Sequence, residues 1–266
     1  LQKKKPSLGQ NFLVDESAVQ RIVASLGDLS GRLVIEVGPG RGAITDMLAA
    51  HAGTLVAIEL DRTLAPALQG RYSGRSNVHV LQQDILTTNL TEIAQHYAPE
   101  RKALLVGNLP YYITSDILLH LADHAAALDQ AVVMMQREVA ERVAAQPGTR
   151  EFGMLSATMQ MTAEAEQLFT LPPEAFLPPP QVYSTVLRLQ MRPRYAELVV
   201  DRSAFEQFLR AAFAQKRKTL SKNLRNAGYS TEAIHTAMEQ AGEDSTVRAE
   251  ACSLEALAAI HRNLLS

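Results

Sequence analysis

Tryptophan is absent from the 266 residues and cysteine occurs once, at Cys252. A lone cysteine excludes an internal disulfide, and no Cys/His spacing resembles a zinc framework, so no metal is expected. An unpaired thiol in a chain of this length fits a reducing, cytoplasmic compartment. Aromatic residues make up only 5% of the chain. No apolar run approaches the roughly 18 residues that a membrane helix requires, so no membrane partner is expected. An excess of one charge is missing as well, since 26 Lys+Arg against 28 Asp+Glu leave a net charge of -2. Lys3, Lys4 and Lys5 are followed by Pro6-Ser7-Leu8-Gly9-Gln10 and not by an apolar stretch, which is not the pattern of a secretory leader.

What is present describes a globular protein with a core, 47% hydrophobic and 20% charged. The length suits one large domain, or a large and a small one. The near-neutral balance conceals a division. Residues 207 to 231 hold Arg210, Lys216, Arg217, Lys218, Lys222 and Arg225 and no acid, a local charge of +6. Setting those six and the three N-terminal lysines aside leaves 17 bases against 28 acids. Such a run is by default a solvated helix face, and becomes an anion-binding field only in company with a site that handles a polyanion.

Five short aliphatic runs, Leu33 to Val37, Leu55 to Ile58, Val78 to Leu81, Leu104 to Val106 and Val132 to Met135, have the character of strands buried on both faces. Helical stretches such as Ala43 to His51 and Leu64 to Gln69 separate the first of them, which predicts repeated βα units around a parallel sheet. Right-handed crossovers then align the strand C-termini along one edge, where ligands bind. Ala163 to Phe169 and Ser184 to Met191, on either side of the proline-rich stretch Leu171 to Pro180, suit an antiparallel closure of that sheet. After Arg192-Pro193-Arg194 only helical patterns remain. Ser203 and Glu206 are spaced as a capping box, and Phe205, Phe208, Leu209, Ala212 and Phe213 follow at helical spacing. Lys216 falls on the apolar side and predicts a break, Gly228 is a natural stop, and Thr231 to Gln240 and Ser253 to Leu265 complete a small bundle. The expected domains are residues 1–192 and 193–266.

The first strand leads into Gly38-Pro39-Gly40-Arg41-Gly42-Ala43. Glycines there allow a tight turn and close approach of a ligand beside a helix N-terminus, and the spacing also satisfies a permissive dinucleotide fingerprint. Glu59 ends the second strand, where a carboxylate can accept from both hydroxyls of a ribose, or can simply be an exposed charge. Asp84 follows the third strand, as a ligand contact or as a helix cap before Ile85 and Leu86. After the fourth strand comes Asn108-Leu109-Pro110-Tyr111-Tyr112. Asn108 Oδ1 and the Leu109 or Pro110 carbonyl can accept from an NH2 group while Tyr111 stacks on its ring. A lone Asn-x-Pro-Tyr is usually a polar turn. Behind a glycine loop and two carboxylates in this order, it points to a flat ligand bearing an amino group. A hydride-transfer enzyme has no use for it.

The order of these elements resembles a class I S-adenosylmethionine-dependent methyltransferase. More narrowly, the whole chain resembles the ribosomal RNA adenine N6,N6-dimethyltransferase family, best its small-subunit branch. The segments that carry the likeness include Gly9-Gln10-Asn11-Phe12-Leu13, Glu36-Val37-Gly38-Pro39-Gly40 and Asn108-Leu109-Pro110-Tyr111. Pro147-Gly148 with Phe152-Gly153, Phe176-Leu177-Pro178-Pro179-Pro180-Gln181-Val182 and Lys216-Arg217-Lys218-Thr219-Leu220 extend it. Gln181 stands where lysine is usual and Tyr183 where aspartate is common. The resemblance implies a Rossmann-like α/β sheet, mostly parallel with one antiparallel strand, and a small C-terminal helical domain. It implies S-adenosylmethionine as cofactor, with Asn11 and Leu13 closing over it, Gly38 against it, Glu59 at the ribose, Asp84 at the adenine amino group, and Gly40, Leu60 and Ile85 also binding it. Asn108 lies between cofactor and target, and Phe176 forms the wall opposite Tyr111. The implied substrate is a pair of adjacent adenosines in the 3'-terminal hairpin loop of small-subunit rRNA. The implied partner is the immature small subunit, gripped by the basic C-terminal run, with the enzyme a monomer. A large-subunit rRNA methyltransferase of the resistance type and a mainly non-catalytic ribosome-assembly factor are the rival readings.

Overall fold

The computed structural model describes residues 11–265, so Lys3, Lys4, Lys5, Gly9 and Gln10 lie outside the described residues. Two compact units divide the chain. The first runs to Ala140 and resumes over Glu164–Met191; the second combines Glu141–Ala163 with the residues from Arg192 onward. This division differs from a single cut at 192. Phe152, Ala157 and Met161 bury their side chains with Phe205, Phe208 and Leu257 in the core of the second unit, which draws residues 141–163 to the C-terminal helices.

In the first unit, β1 (Phe12–Leu13), α1 (Glu16–Ala24), β2 (Leu33–Val37), α2 (Thr45–His51), β3 (Thr54–Glu59), α3 (Leu64–Tyr72) and β4 (Val78–Gln82) are followed by α4 (Leu90–Tyr97), β5 (Ala103–Asn108), α5 (Thr114–Asp123) and β6 (Leu128–Gln136). Helix α6 (Arg137–Val143) and, in the second unit, α7 (Met154–Gln160) precede β7 (Ala163–Leu171), β8 (Phe176–Leu177) and β9 (Ser184–Met191). Seven strands form one sheet in the order β4-β3-β2-β5-β6-β9-β7. Pairing is parallel from β4 through β6, and β9 runs antiparallel to β6. The five foreseen strands are all present. Every residue of β2 is buried, as a strand covered on both faces requires.

The chain winds outward from β2 to β4 and then returns to β5 on the other side of β2. Between the C-terminal ends of β2 and β5 the sheet therefore has its topological switch point, the place where open α/β sheets bind ligands. Gly107 in β5 makes this junction tight, because a Cβ on it would lie 2.7 Å from the Val37 carbonyl oxygen of β2. A short pair, β1 antiparallel to β8, was not foreseen; it sets Leu13 opposite Phe176.

The second unit also holds α8 (Arg202–Ala212), α9 (Leu220–Asn226), α10 (Thr231–Gln240) and α11 (Leu254–Leu265). The expected break falls between α8 and α9. The capping box does not form: Asp201 is the N-cap, its Oδ1 accepting from Ala204 N–H at 2.9 Å, and Ser203 lies inside the helix. Cys252 is wholly buried, and burial pushes its thiol up to about 12, so it is a core residue and not a nucleophile.

Candidate active site

At the switch point a cleft of about 790 Å³ opens over the ends of β2, β3, β4 and β5. Eleven of the thirteen residues expected at cofactor and target line it: Asn11, Gly38, Gly40, Glu59, Leu60, Asp84, Ile85, Asn108, Leu109, Pro110 and Tyr111. Two do not. Leu13 and Phe176 are buried in the core of the unit, 5% and 2% exposed. Phe176, expected as the wall opposite Tyr111, is placed in this core. Pairing with β1 turns its ring inward, and its neighbour Leu177 points outward, 55% exposed.

The glycine loop leaves β2 with Gly38 at φ 66° and Gly40 at φ 58°, conformations that L side chains rarely adopt. A Cβ on Gly40 would meet the Phe12 ring at 3.1 Å. Phe12 therefore rests on the loop, with the Arg41 guanidinium 4.5 Å from its ring centroid. Glu59 is 3% exposed, and its carboxylate is held on both sides: Gly40 N–H donates to Oε2 and Asp61 N–H to Oε1, each at 2.9 Å. Each oxygen keeps a further lone pair for a hydroxyl. The bland reading of Glu59 as an exposed charge fails on its burial. Asp84 plays the cap as well as the cleft. Its Oδ1 accepts from Leu86 N–H at 3.0 Å, and among the described residues Oδ2 accepts nothing.

Asn108 ends β5 half-buried, and its amide is oriented by a single bond: Nδ2 donates to the Asn11 carbonyl at 2.9 Å. Oδ1 takes no partner among the described residues and stays available as an acceptor. The choice between the two backbone carbonyls is narrowed by the same bookkeeping. The Pro110 carbonyl already accepts from Thr114 Oγ1 at 3.0 Å and Ile113 N–H at 3.2 Å, whereas no donor reaches the Leu109 carbonyl among the described residues. Tyr111 is fixed by its hydroxyl, 2.6 Å from Ser184 Oγ, and burial raises its phenol above the usual range.

Glu36 lies in β2, two residues before Gly38. It is 2% exposed, its Oε2 has no hydrogen-bond partner, and burial, with the charges of Glu59 and Asp46 adding, pushes its carboxyl up to about 8. At neutral pH it is a neutral acid beneath the loop. No sequence signal marks this, because strand position alone does not tell which carboxylate lacks a partner.

In the second unit Arg210, Lys216, Arg217, Lys218, Lys222 and Arg225 are all exposed, and none has a carboxylate partner among the described residues. The turn between α8 and α9 is tied to a second loop, since Lys216 Nζ donates to the Arg150 carbonyl. Arg150 is exposed beside it, and sequence reading missed it because it is 60 residues away from the basic run.

The donor set fits S-adenosylmethionine: a twice-anchored carboxylate for a ribose, an open acid oxygen for an amino group, and apolar walls from Val37, Ile58 and Ile85 for a purine. Comparison with known proteins agrees. A profile of the family described as ribosomal RNA adenine dimethylase matches residues 1–264. The chain is 58% identical to the ribosomal RNA small subunit methyltransferase A of Acidobacterium capsulatum over 98% of this chain and 92% of that one. Its fold matches the crystal structure of the 23S rRNA methyltransferase ErmE with a TM-score of 0.72 at 25% identity, over 96% of this chain and 100% of that one. A dimethyladenosine transferase from Plasmodium falciparum matches with a TM-score of 0.76 at 21% identity, over 94% and 95% of the two chains. The chain belongs to the ribosomal RNA adenine dimethylase family.

Proposed function

We propose that this protein methylates the N6 amino group of adenosines in small-subunit rRNA from S-adenosylmethionine, twice at each base, giving N6,N6-dimethyladenosine. The observation that carries the chemistry is the orientation of Asn108, whose Nδ2 is spent on Asn11 while Oδ1 is left free at the cleft. The bound cofactor supplies a sulfonium methyl whose leaving group is a neutral thioether, so the protein's task is positioning and not acid-base work. Asn108 Oδ1 and the Leu109 carbonyl accept hydrogen bonds from the two N6 hydrogens. They thereby draw the amine toward a pyramidal geometry with its lone pair aimed away from them, while Tyr111 stacks on the ring. The proton that becomes acidic once the N–CH3 bond has formed and the C–S bond has broken leaves to water. Monomethyladenine still offers these acceptors one N–H and dimethyladenine none, so the site holds the intermediate and releases the product.

A base inside a helix cannot reach these acceptors, so the target is flipped out or lies in a loop. The family likeness points to adjacent adenosines of the 3'-terminal hairpin loop in the immature subunit. The exposed basic run of the second unit, with Arg150, serves as a phosphate grip that positions the RNA without reading it. The large-subunit alternative has the 25% likeness to ErmE in its favour. The relative at 58% identity bears the small-subunit name, and the small-subunit reading is preferred for that reason.

Asn108→Ala tests the chemistry. Methyl transfer falls by at least about a hundredfold, as for loss of a group made for the reacting geometry, while calorimetry still detects cofactor binding. Unchanged turnover removes Asn108 from the mechanism.

A further inference from the structure

Helix α5 is hydrogen-bonded to two loops, the one that follows β5 and the one that follows β4. At its first residue, Thr114 Oγ1 donates to the Pro110 carbonyl at 3.0 Å, which fixes the loop carrying Asn108 and Tyr111. Six residues later His120 Nε2 lies 2.9 Å from the carbonyl of Thr88. A carbonyl only accepts, so Nε2 carries the proton. Thr88 is 5% exposed, and its own hydroxyl donates to the Asp84 carbonyl at 2.8 Å. The His120 ring is braced in turn by His124, whose ring centroid is 4.7 Å away and whose Nδ1 is 2.9 Å from Thr91 Oγ1 of α4. A continuous path of hydrogen bonds thus runs from α5 through His120 and Thr88 to the backbone of Asp84, and His120 itself is not among the residues that line the cleft.

We infer that His120 is a positioning residue for the adenine end of the cofactor site, holding the Asp84 loop through Thr88 so that the free carboxylate oxygen of Asp84 meets the cofactor's amino group. This rests on the reading of Asp84 as the adenine contact. Asp84 caps a short turn of three residues, Ile85–Thr87, a single 3₁₀ turn of ordinary length. Its far end is secured by Thr88, and Thr88 by His120. The two ties of α5 also make one rigid element responsible for both the acceptor loop and the cofactor loop.

The test compares S-adenosylhomocysteine with S-inosylhomocysteine, which carries a carbonyl oxygen where the adenine amino group would be. Calorimetric affinities are measured on the full chain as wild type, His120→Ala, His120→Gln and Thr88→Val. Wild type prefers the adenosyl ligand by about tenfold or more, the value of one charge-assisted hydrogen bond. His120→Ala and Thr88→Val lower that preference to within about threefold, and His120→Gln, which retains an N–H at similar reach, restores part of it. A general loss of structure weakens both ligands equally and leaves the ratio intact, so the ratio separates positioning from folding. If His120→Ala fails to fold, Thr88→Val carries the test. Variants that discriminate as well as wild type overturn the inference alone. A wild type that does not discriminate overturns the assignment of Asp84, and the inference with it.

Discussion

Individual side chains at this site are set by which of their atoms are already engaged. Asn108, Glu59 and Gly38 were legible in the sequence because each sits at a strand end whose chemistry is narrow: an amide before a proline, an acid after an aliphatic run, a glycine after a strand. What the sequence could not disclose was the partner of each atom: the Pro110 carbonyl is already engaged by Thr114 and Ile113, and Phe176 pairs with Leu13 in the core. Glu36 shows the same limit and yields a measurable consequence. The folded chain keeps its proton up to about pH 8, whereas the unfolded chain releases it near 4.5. Between those values the unfolded state binds fewer protons, so this group costs increasing stability as pH rises from 4.5 to 8. Glu36→Gln removes that dependence. Urea denaturation at pH 5 and pH 8.5 is expected to show the variant gaining on wild type at the higher pH, and an equal difference at both contradicts a buried neutral acid.

Elements were legible where pattern and local chemistry agreed, and were missed where a nearby competitor prevailed. At α8 the Ser203 and Glu206 spacing suggested a box, but Asp201 sits two residues earlier with a stronger acceptor, and Glu206 is taken by Arg202 at 2.9 Å. Asp201→Ala therefore costs about 1 kcal/mol and Ser203→Ala less than about 0.5 kcal/mol in thermal denaturation. The reverse order would restore the box. The break after α8 was foreseen from Lys216, and it places a basic turn at the surface beside Arg150. Replacing Lys218 and Lys222 by Glu weakens binding to a small-subunit rRNA fragment and flattens the dependence of affinity on salt, because fewer counterions are released. An unaltered slope assigns the grip to other residues.

At the scale of the whole molecule, the α/β class and the position of its ligand edge followed from five aliphatic runs, since a doubly covered parallel sheet leaves few other solutions for such runs. The division into units was harder. Residues 141–163 join the helical unit through Phe152, Ala157 and Met161, and apolar side chains in and beside a short helix carry no mark of the core they will enter. Two units, one with a cleft at the switch point of its sheet and one with an exposed basic surface, match a reaction whose cofactor is small and whose substrate is a long polyanion. That pairing is tested most directly by incubating the full chain with methyl-labelled S-adenosylmethionine and undermethylated ribosomal subunits, and then mapping the modified nucleosides by mass spectrometry. The account predicts label in N6,N6-dimethyladenosine confined to small-subunit rRNA. Label in large-subunit rRNA, or on any atom other than adenine N6, contradicts it.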